Sequence, residues 1–306
     1  MMPGISLLSS HRTRDVKRRH YSKKKTIMIE IRGLTKKFGD FTAVDHIDLT
    51  IETGEFFGLL GPNGAGKTTT ISMLCTVLLP TEGEILLDGK KLDRRAHAQK
   101  RRLSVITQEY SMRQDMTIDQ VMEYQGRLYF MKKQEIREKT QELLDFAGLL
   151  EYRGRTVRHL SGGMKRKVMI CRALMTEPDI LLLDEPTAGM DALSRRQTWT
   201  LLRRLQSRGM TVLLTTHYME EAQALCSRVA LMDRGRIDTC APPRELIEGL
   251  GRYAVDEITE EKTVSRFFHD REEAIRYLET AGPSAALRAS TLEDVFIERL
   301  GRKTRK

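Results

Sequence analysis

Three stretches of the chain carry short apolar runs: Glu55–Leu60, Asp179–Leu183 and Thr211–Thr215. Short runs of this kind, bounded by turn formers, predict strands covered on both faces, as in a parallel sheet. Other segments alternate. Met28–Arg32 switches between apolar and polar side chains, and Glu84–Leu87 runs into an Asp88-Gly89 turn. Val229–Met232 and Arg236–Asp238 predict a late hairpin, and Tyr253–Ile258 one more strand. Between the strands the period changes to that of helices. A helix is expected over Lys67–Leu79, closed by Pro80-Thr-Glu-Gly83, and another over Ala192–Arg208, stopped by Gly209. Residues 112–178 look mostly helical. Thr117 and Gln120 form a capping-box pair there, and Met164, Val168, Cys171 and Met175 fall on one helical stripe with Lys165, Arg166 and Lys167 off it. Strands and helices in alternation imply an α/β fold.

Beyond residue 250 the pattern restarts on a smaller scale. Glu272–Thr280 predicts a helix, Gly282-Pro283 a break, and Leu292, Val295, Phe296 and Leu300 a final apolar stripe opened by a Ser290…Glu293 cap. The expected division is a basic disordered tail over 1–26, a main domain over 27–249 and a small α+β accessory extension over 250–306. Met28 would suit the start of the ordered part.

Charge supports that division. Residues 1–26 hold eight Lys/Arg against one Asp, and residues 301–306 hold four Lys/Arg and no acid. The ends thus account for the whole formal charge of +10, and the body is close to neutral. A nucleic-acid-binding body loses its simplest support. The four cysteines are far apart and form no metal-finger spacing, which suits a reducing compartment. No apolar run approaches the roughly 20 residues that span a bilayer.

Chemistry is concentrated at two places. Gly61-Pro62-Asn63-Gly64-Ala65-Gly66-Lys67-Thr68, followed by Thr69, fits the phosphate-loop pattern between a predicted strand and a predicted helix. Glycines let backbone N–H groups turn in around phosphate oxygens, and the helix N-terminus adds its positive dipole end. Lys67 is expected at the β- and γ-phosphates and Thr68 on Mg²⁺. The second place is Asp184-Glu185, at the carboxyl end of a buried strand, where parallel α/β sheets bind ligands. Asp184 is expected to bind Mg²⁺, and Glu185 to polarise an attacking water as general base.

Leu160-Ser161-Gly162-Gly163-Met164 resembles the signature loop of the ATP-binding cassette (ABC) family, usually LSGGQ, about twenty residues before the acidic motif. The resemblance covers roughly residues 28–240. It implies a phosphate-loop NTPase domain with a RecA-like mixed sheet core and antiparallel-β and helical subdomains. It implies ATP and Mg²⁺ as cofactors. Phe38 matches the aromatic that stacks on adenine, with Phe41 as its competitor. Gln108 matches the glutamine of the Q loop, which touches Mg²⁺ or water, and Asp191 keeps the acid of the D loop. His217 matches the switch histidine near the γ-phosphate. Ser161, Gly162 and Gly163 would complete the site of a second cassette, so a homodimer is implied. Met164 departs from the usual Gln, and the phosphate contacts of the loop are expected chiefly from Ser161 and the Gly163 amide.

Three stretches, Phe41–Asp45, Thr216–Ala222 and Thr291–Phe296, look like exporter ATPases of the daunorubicin-resistance and nodulation-factor type. That resemblance implies a subunit on the cytoplasmic face of the inner membrane, powering a separate integral permease that exports a drug, lipid or other amphiphile. No nucleic-acid partner is expected. The alternatives are a soluble ABC ATPase acting on ribosome or nucleic acid, with the basic tail as anchor, and an importer cassette. Met112, Met116 and Met122 could either receive a permease segment or pack inside a helical subdomain.

Overall fold

A computed structural model of the chain describes residues 26–258 and 263–301. The basic tail and residues 302–306 lie outside them. β1 (Ile27–Phe38) and β2 (Phe41–Glu52) form a long antiparallel hairpin. β3 (Phe56–Leu60) leads through the glycine loop into α1 (Lys67–Leu74), and β4 (Glu82–Leu87) returns beside β1 with β5 (Lys90–Lys91) outside it. Next come α2 (His97–Lys100), β6 (Leu103–Ile106), α3 (Ile118–Leu128), α4 (Lys133–Phe146) and α5 (Gly162–Leu174). β7 (Ile180–Asp184), α6 (Ala192–Gln206), β8 (Thr211–Thr216), α7 (Met219–Leu225), β9 (Arg228–Asp233) and β10 (Arg236–Ala241) complete the main body. α8 (Pro243–Leu250), β11 (Tyr253–Ile258), β12 (Thr263–Phe268), α9 (Arg271–Thr280), β13 (Ala285–Ala289) and α10 (Leu292–Gly301) follow.

The central sheet has the order β10-β9-β3-β8-β7-β6. Its strands β6, β7, β8, β3 and β9 are parallel, and β10 turns back as an antiparallel edge. Side chains alternate faces along a strand, and that alternation sorts the core into two parts. Phe57, Leu59, Ile180, Leu182 and Leu213 pack with α1 and the β1–β2–β4 sheet. Phe56, Leu60, Leu181, Leu183, Val212 and Leu214 pack with the helical layer. This is why β3, β7 and β8 are buried at every position and largely apolar: both faces are covered. Met112 and Met122 belong to the helical core, and Met116 packs against it, so core packing accounts for the methionines.

Two helix boundaries differ from expectation. α1 ends at Leu74, five residues before Leu79, because Thr76 takes a left-handed φ of 57°. The cap of α10 is shifted by one residue. The Thr291 Oγ1 accepts from the Asp294 amide at 3.4 Å while the Asp294 carboxylate accepts from the Thr291 amide at 2.7 Å. Ser290 is instead buried, with its hydroxyl unpartnered.

The C-terminal sheet has the order β12-β11-β13. Arg288 ties it to α10: its guanidinium donates to Asp256 on β11 and to Asp294 on α10. α10 in turn packs on α7 and α8, with Leu292 and Val295 buried and the Leu292 amide donating to Gln223 Oε1 at 3.0 Å. The extension therefore rests on the helix that follows His217. No described helix is long and apolar enough to cross a membrane.

Candidate functional site

The loop 61–68 is held from outside. A Cβ on Gly61 would lie 2.2 Å from the Met232 carbonyl oxygen, so only glycine fits. Gly66 has φ +106° and the same difficulty against the Ala43 carbonyl oxygen at 2.5 Å. The turn between β9 and β10 closes the bracket. The Gly235 amide donates to Ala65 O at 2.9 Å, and the Asp45 amide donates to Gly235 O at 2.8 Å. The loop's shape thus depends on strands distant in sequence.

Lys67 is only 5% exposed. Its Nζ donates to Gly61 O at 2.9 Å and Pro62 O at 3.0 Å, and lies 3.9 Å from Glu185 Oε1. Burial pushes its ammonium below the ordinary lysine range, against the pull of Glu185 and Asp184. Asp184, at the end of β7, is buried and receives two hydroxyls on one oxygen. Thr68 Oγ1 donates to Oδ1 at 3.3 Å, and Thr215 Oγ1 donates to the same atom. Hard oxygens from Thr68 and Asp184, side by side at the mouth of a phosphate loop, fit Mg²⁺. Among the described residues no group of three His, Cys, Asp or Glu could hold a metal, so the remaining ligands would be phosphate oxygens and water.

Glu185 leaves the strand with a left-handed φ of 47°, rare for a residue with a side chain and commonest at functional sites. Its amide donates to Thr215 O at 3.0 Å. Its carboxylate turns between Lys67 and His217, whose Nδ1 is 3.1 Å from Oε1. That approach is too poorly aligned to be a hydrogen bond, so Nδ1 stays buried without a partner. Five side chains from three segments, the start of α1 (Lys67 and Thr68), the end of β7 (Asp184 and Glu185) and the end of β8 (His217), therefore converge. The set can clamp a polyphosphate and polarise a water beside it.

Other expected site residues stand apart. Ser161 caps α5, its Oγ accepting from the Met164 amide at 3.3 Å. Ser161 and Gly162 are exposed, and among the described residues no hydrogen bond joins residues 161–163 to this chain's own phosphate loop. Phe38 and Phe41 are both exposed at the tip of the β1–β2 hairpin, so neither is a core aromatic. Gln108 is exposed, and its side chain makes no hydrogen bond among the described residues. Asp191 caps α6 through Ser194, whose hydrogen bonds hold its carboxyl below the usual range.

The comparisons with known proteins agree with this geometry. The ABC transporter family pattern matches residues 44–188. Nod factor export ATP-binding protein I of Cupriavidus metallidurans is 36% identical over 92% of this chain and 99% of its own length. This chain belongs to the ABC transporter family, as an ATP-binding subunit of the exporter type. A probable multidrug ABC transporter ATP-binding protein of Escherichia coli, YbhF, is 36% identical over 79% of the chain and 42% of its own length. Among solved structures, a component of an ABC transporter complex from Clostridium perfringens shares 27% identity at a TM-score of 0.67, covering 72% of this chain and 91% of its own. A dimeric cassette bound to ADP and Pi shares 28% at 0.62, covering 70% and 98%. The cassette is an ATPase coupled to transport and binds ATP and ADP, and its C-terminal region extends beyond the solved-structure match.

Three contributors to the cassette's site were not legible in the motifs. Thr215 anchors Asp184, and its only sequence signal was a hydroxyl ending an apolar strand. Arg166 is buried although its neighbours in sequence are lysines. Glu221, on α7 behind His217, is 0% exposed. Its Oε1 accepts from Thr187 Oγ1 at 2.8 Å and Trp199 Nε1 at 3.0 Å, while Oε2 has no partner. It thus joins the segment after Glu185 to the one after His217.

Burial raises the Glu221 carboxyl above its usual range, against the hydrogen bonds from Thr187 and Trp199. A raised carboxyl binds more protons folded than unfolded, so stability falls as pH rises from about 4.5 through the folded value. Glu221→Gln keeps both hydrogen bonds to Oε1 and removes that dependence. Its melting temperature relative to the parent is expected to rise between pH 5 and pH 7. A gap that stays constant across this window would show that the carboxyl is ionised at both ends.

Proposed function

We propose that two copies of this cassette close around two ATP molecules, each site built from one copy's phosphate loop and the other's signature loop. The observation that carries this reading is the split just described. Lys67, Thr68, Asp184, Glu185 and His217 converge, whereas Ser161 opens the N-terminus of α5, a ready anion site, with no hydrogen bond to that set among the described residues. In this reading backbone amides of residues 63–69 wrap the phosphates, with Gly61 and Pro62 shaping the turn, and Lys67 holds the terminal ones. Thr68 and Asp184 hold Mg²⁺, which supplies charge neutralisation when bound. Phe38 stacks on the base. Glu185 takes a proton from the attacking water, His217 holds the γ-phosphate oxygens, and Gln108 and Asp191 report on the site from its edges. Ser161, Gly162 and Gly163 meet the other copy's γ-phosphate.

Residues 27–249 constitute the catalytic unit and 250–306 an accessory unit. The subunit sits peripherally on the cytoplasmic face of the membrane and drives a separate permease. The exporter relatives support a drug, lipid or other amphiphile as cargo.

Mixing two dead variants tests the shared site. Lys67→Ala lacks a working phosphate loop and Ser161→Arg a working signature loop, so each alone should be inactive. Together they should recover roughly one quarter of parental turnover, since half of randomly paired dimers carry one intact site of two. A mixture as inactive as its parts, or a monomer that turns over at full rate, rules the shared site out.

A further inference from the structure

We propose that Arg166 is a positioning residue that fastens the Gln108 loop to the signature loop, so that the two shift as one body. The inference rests on the role just given to Gln108. Arg166 lies on α5, is 1% exposed, and has no carboxylate within ion-pair distance among the described residues. Its guanidinium instead forks onto two consecutive backbone carbonyls, Nη1 donating to Thr107 O at 2.7 Å and Nη2 to Gln108 O at 3.0 Å. Nε is buried without an acceptor. The guanidinium also lies 5.3 Å from the ring centre of Tyr110, and the Tyr110 hydroxyl donates to Gly162 O at 3.2 Å. A closed circuit results, running from the signature loop through Tyr110 and Arg166 to the carbonyl of Gln108.

A buried cation with no carboxylate at ion-pair distance is costly, and an apolar side chain would fill the space without that cost. What the arginine adds is a planar fork matched to two carbonyls in fixed relation, which neither an apolar residue nor a lysine reproduces. Buried and committed to two backbone carbonyls, Arg166 offers no open face to a ligand. Its effect runs through where the Gln108 side chain points, with the signature loop as the anchor that holds it. Loosening the fork should therefore slow the chemical step and leave ATP affinity alone.

The test is a double-mutant cycle on the full chain, with kcat and KM for ATP measured alongside melting temperature. Arg166→Lys is expected to lower kcat about tenfold with KM within about twofold, the signature of misplacement rather than lost binding. In a Gln108→Ala background the same change should cost less than about twofold, because its route is already gone. Tyr110→Phe removes only the hydroxyl of a partly exposed side chain, so it should fold as the parent does and lower kcat in the same direction. Tyr110→Phe at parental kcat overturns the proposal. So does an Arg166→Lys cost that is equal with and without the Gln108 side chain. Gln108→Ala at parental kcat removes the role of Gln108 itself, and with it this inference. That failure is distinguishable because it appears in the single variant.

Discussion

Glu185→Gln should bind ATP as tightly as the parent and release phosphate roughly 10²–10⁴ times more slowly, the range expected for loss of a general base. The substitution is nearly isosteric, and the residue's unusual backbone at φ 47° is unchanged by it. The side-chain oxygen that faces His217 Nδ1 at 3.1 Å can remain as an amide oxygen. What disappears is the capacity to accept a proton. On the shared-site proposal ATP should close the dimer and nothing should reopen it, so size-exclusion chromatography in ATP should show a persistent dimer beside near-zero phosphate release. Turnover at the parental rate would mean that another group takes the proton. A variant that neither turns over nor binds ATP would mean that Glu185 serves the architecture of the site.

Lys67→Ala should lose affinity for ATP by about 10²-fold or more, the scale of removing a charge-assisted clamp from phosphate oxygens. The fold should survive, because the deleted ammonium is itself an unfavourable burial relieved only by two carbonyls and the nearby Glu185 and Asp184. The same environment fixes a pH signature. Bound phosphate favours the charged lysine, so parental affinity should decline as pH rises through the depressed lysine value, below the 10.5 of an ordinary side chain. Lys67→Ala should lack that alkaline limb. Equilibrium binding of a fluorescent ATP analogue across the alkaline range measures both effects. Parental affinity in the variant would place the phosphates elsewhere.

Much of this site was readable because its determinants are local. A phosphate loop needs glycines, a lysine and a hydroxyl in fixed spacing, and an apolar run ending in Asp184-Glu185 needs only its own composition to declare a buried strand. The capping pair Thr117 and Gln120 is local too, and both of its hydrogen bonds are present. What escaped depends on partners far along the chain. Arg166 reads as one more surface cation until Thr107 and Gln108 come to rest against it. Glu221 reads as a solvated acid on a short helix until Trp199 and Thr187 enclose it. β12 and β13 carry mixed, half-exposed side chains with no strong alternation, so their pairing with β11 leaves little trace in sequence. The early end of α1 at Leu74 reflects a left-handed turn at Thr76, a residue type that gives no warning of it.

The bracket around the phosphate loop has a reach beyond the residues that meet a ligand. Met232 and Gly235 crowd Gly61 and hold Ala65 from a hairpin far downstream. How firmly the protein grips its fuel is therefore set partly by a turn that lies outside every motif. Changes that lengthen or slacken that turn should alter nucleotide grip while every motif residue stays intact.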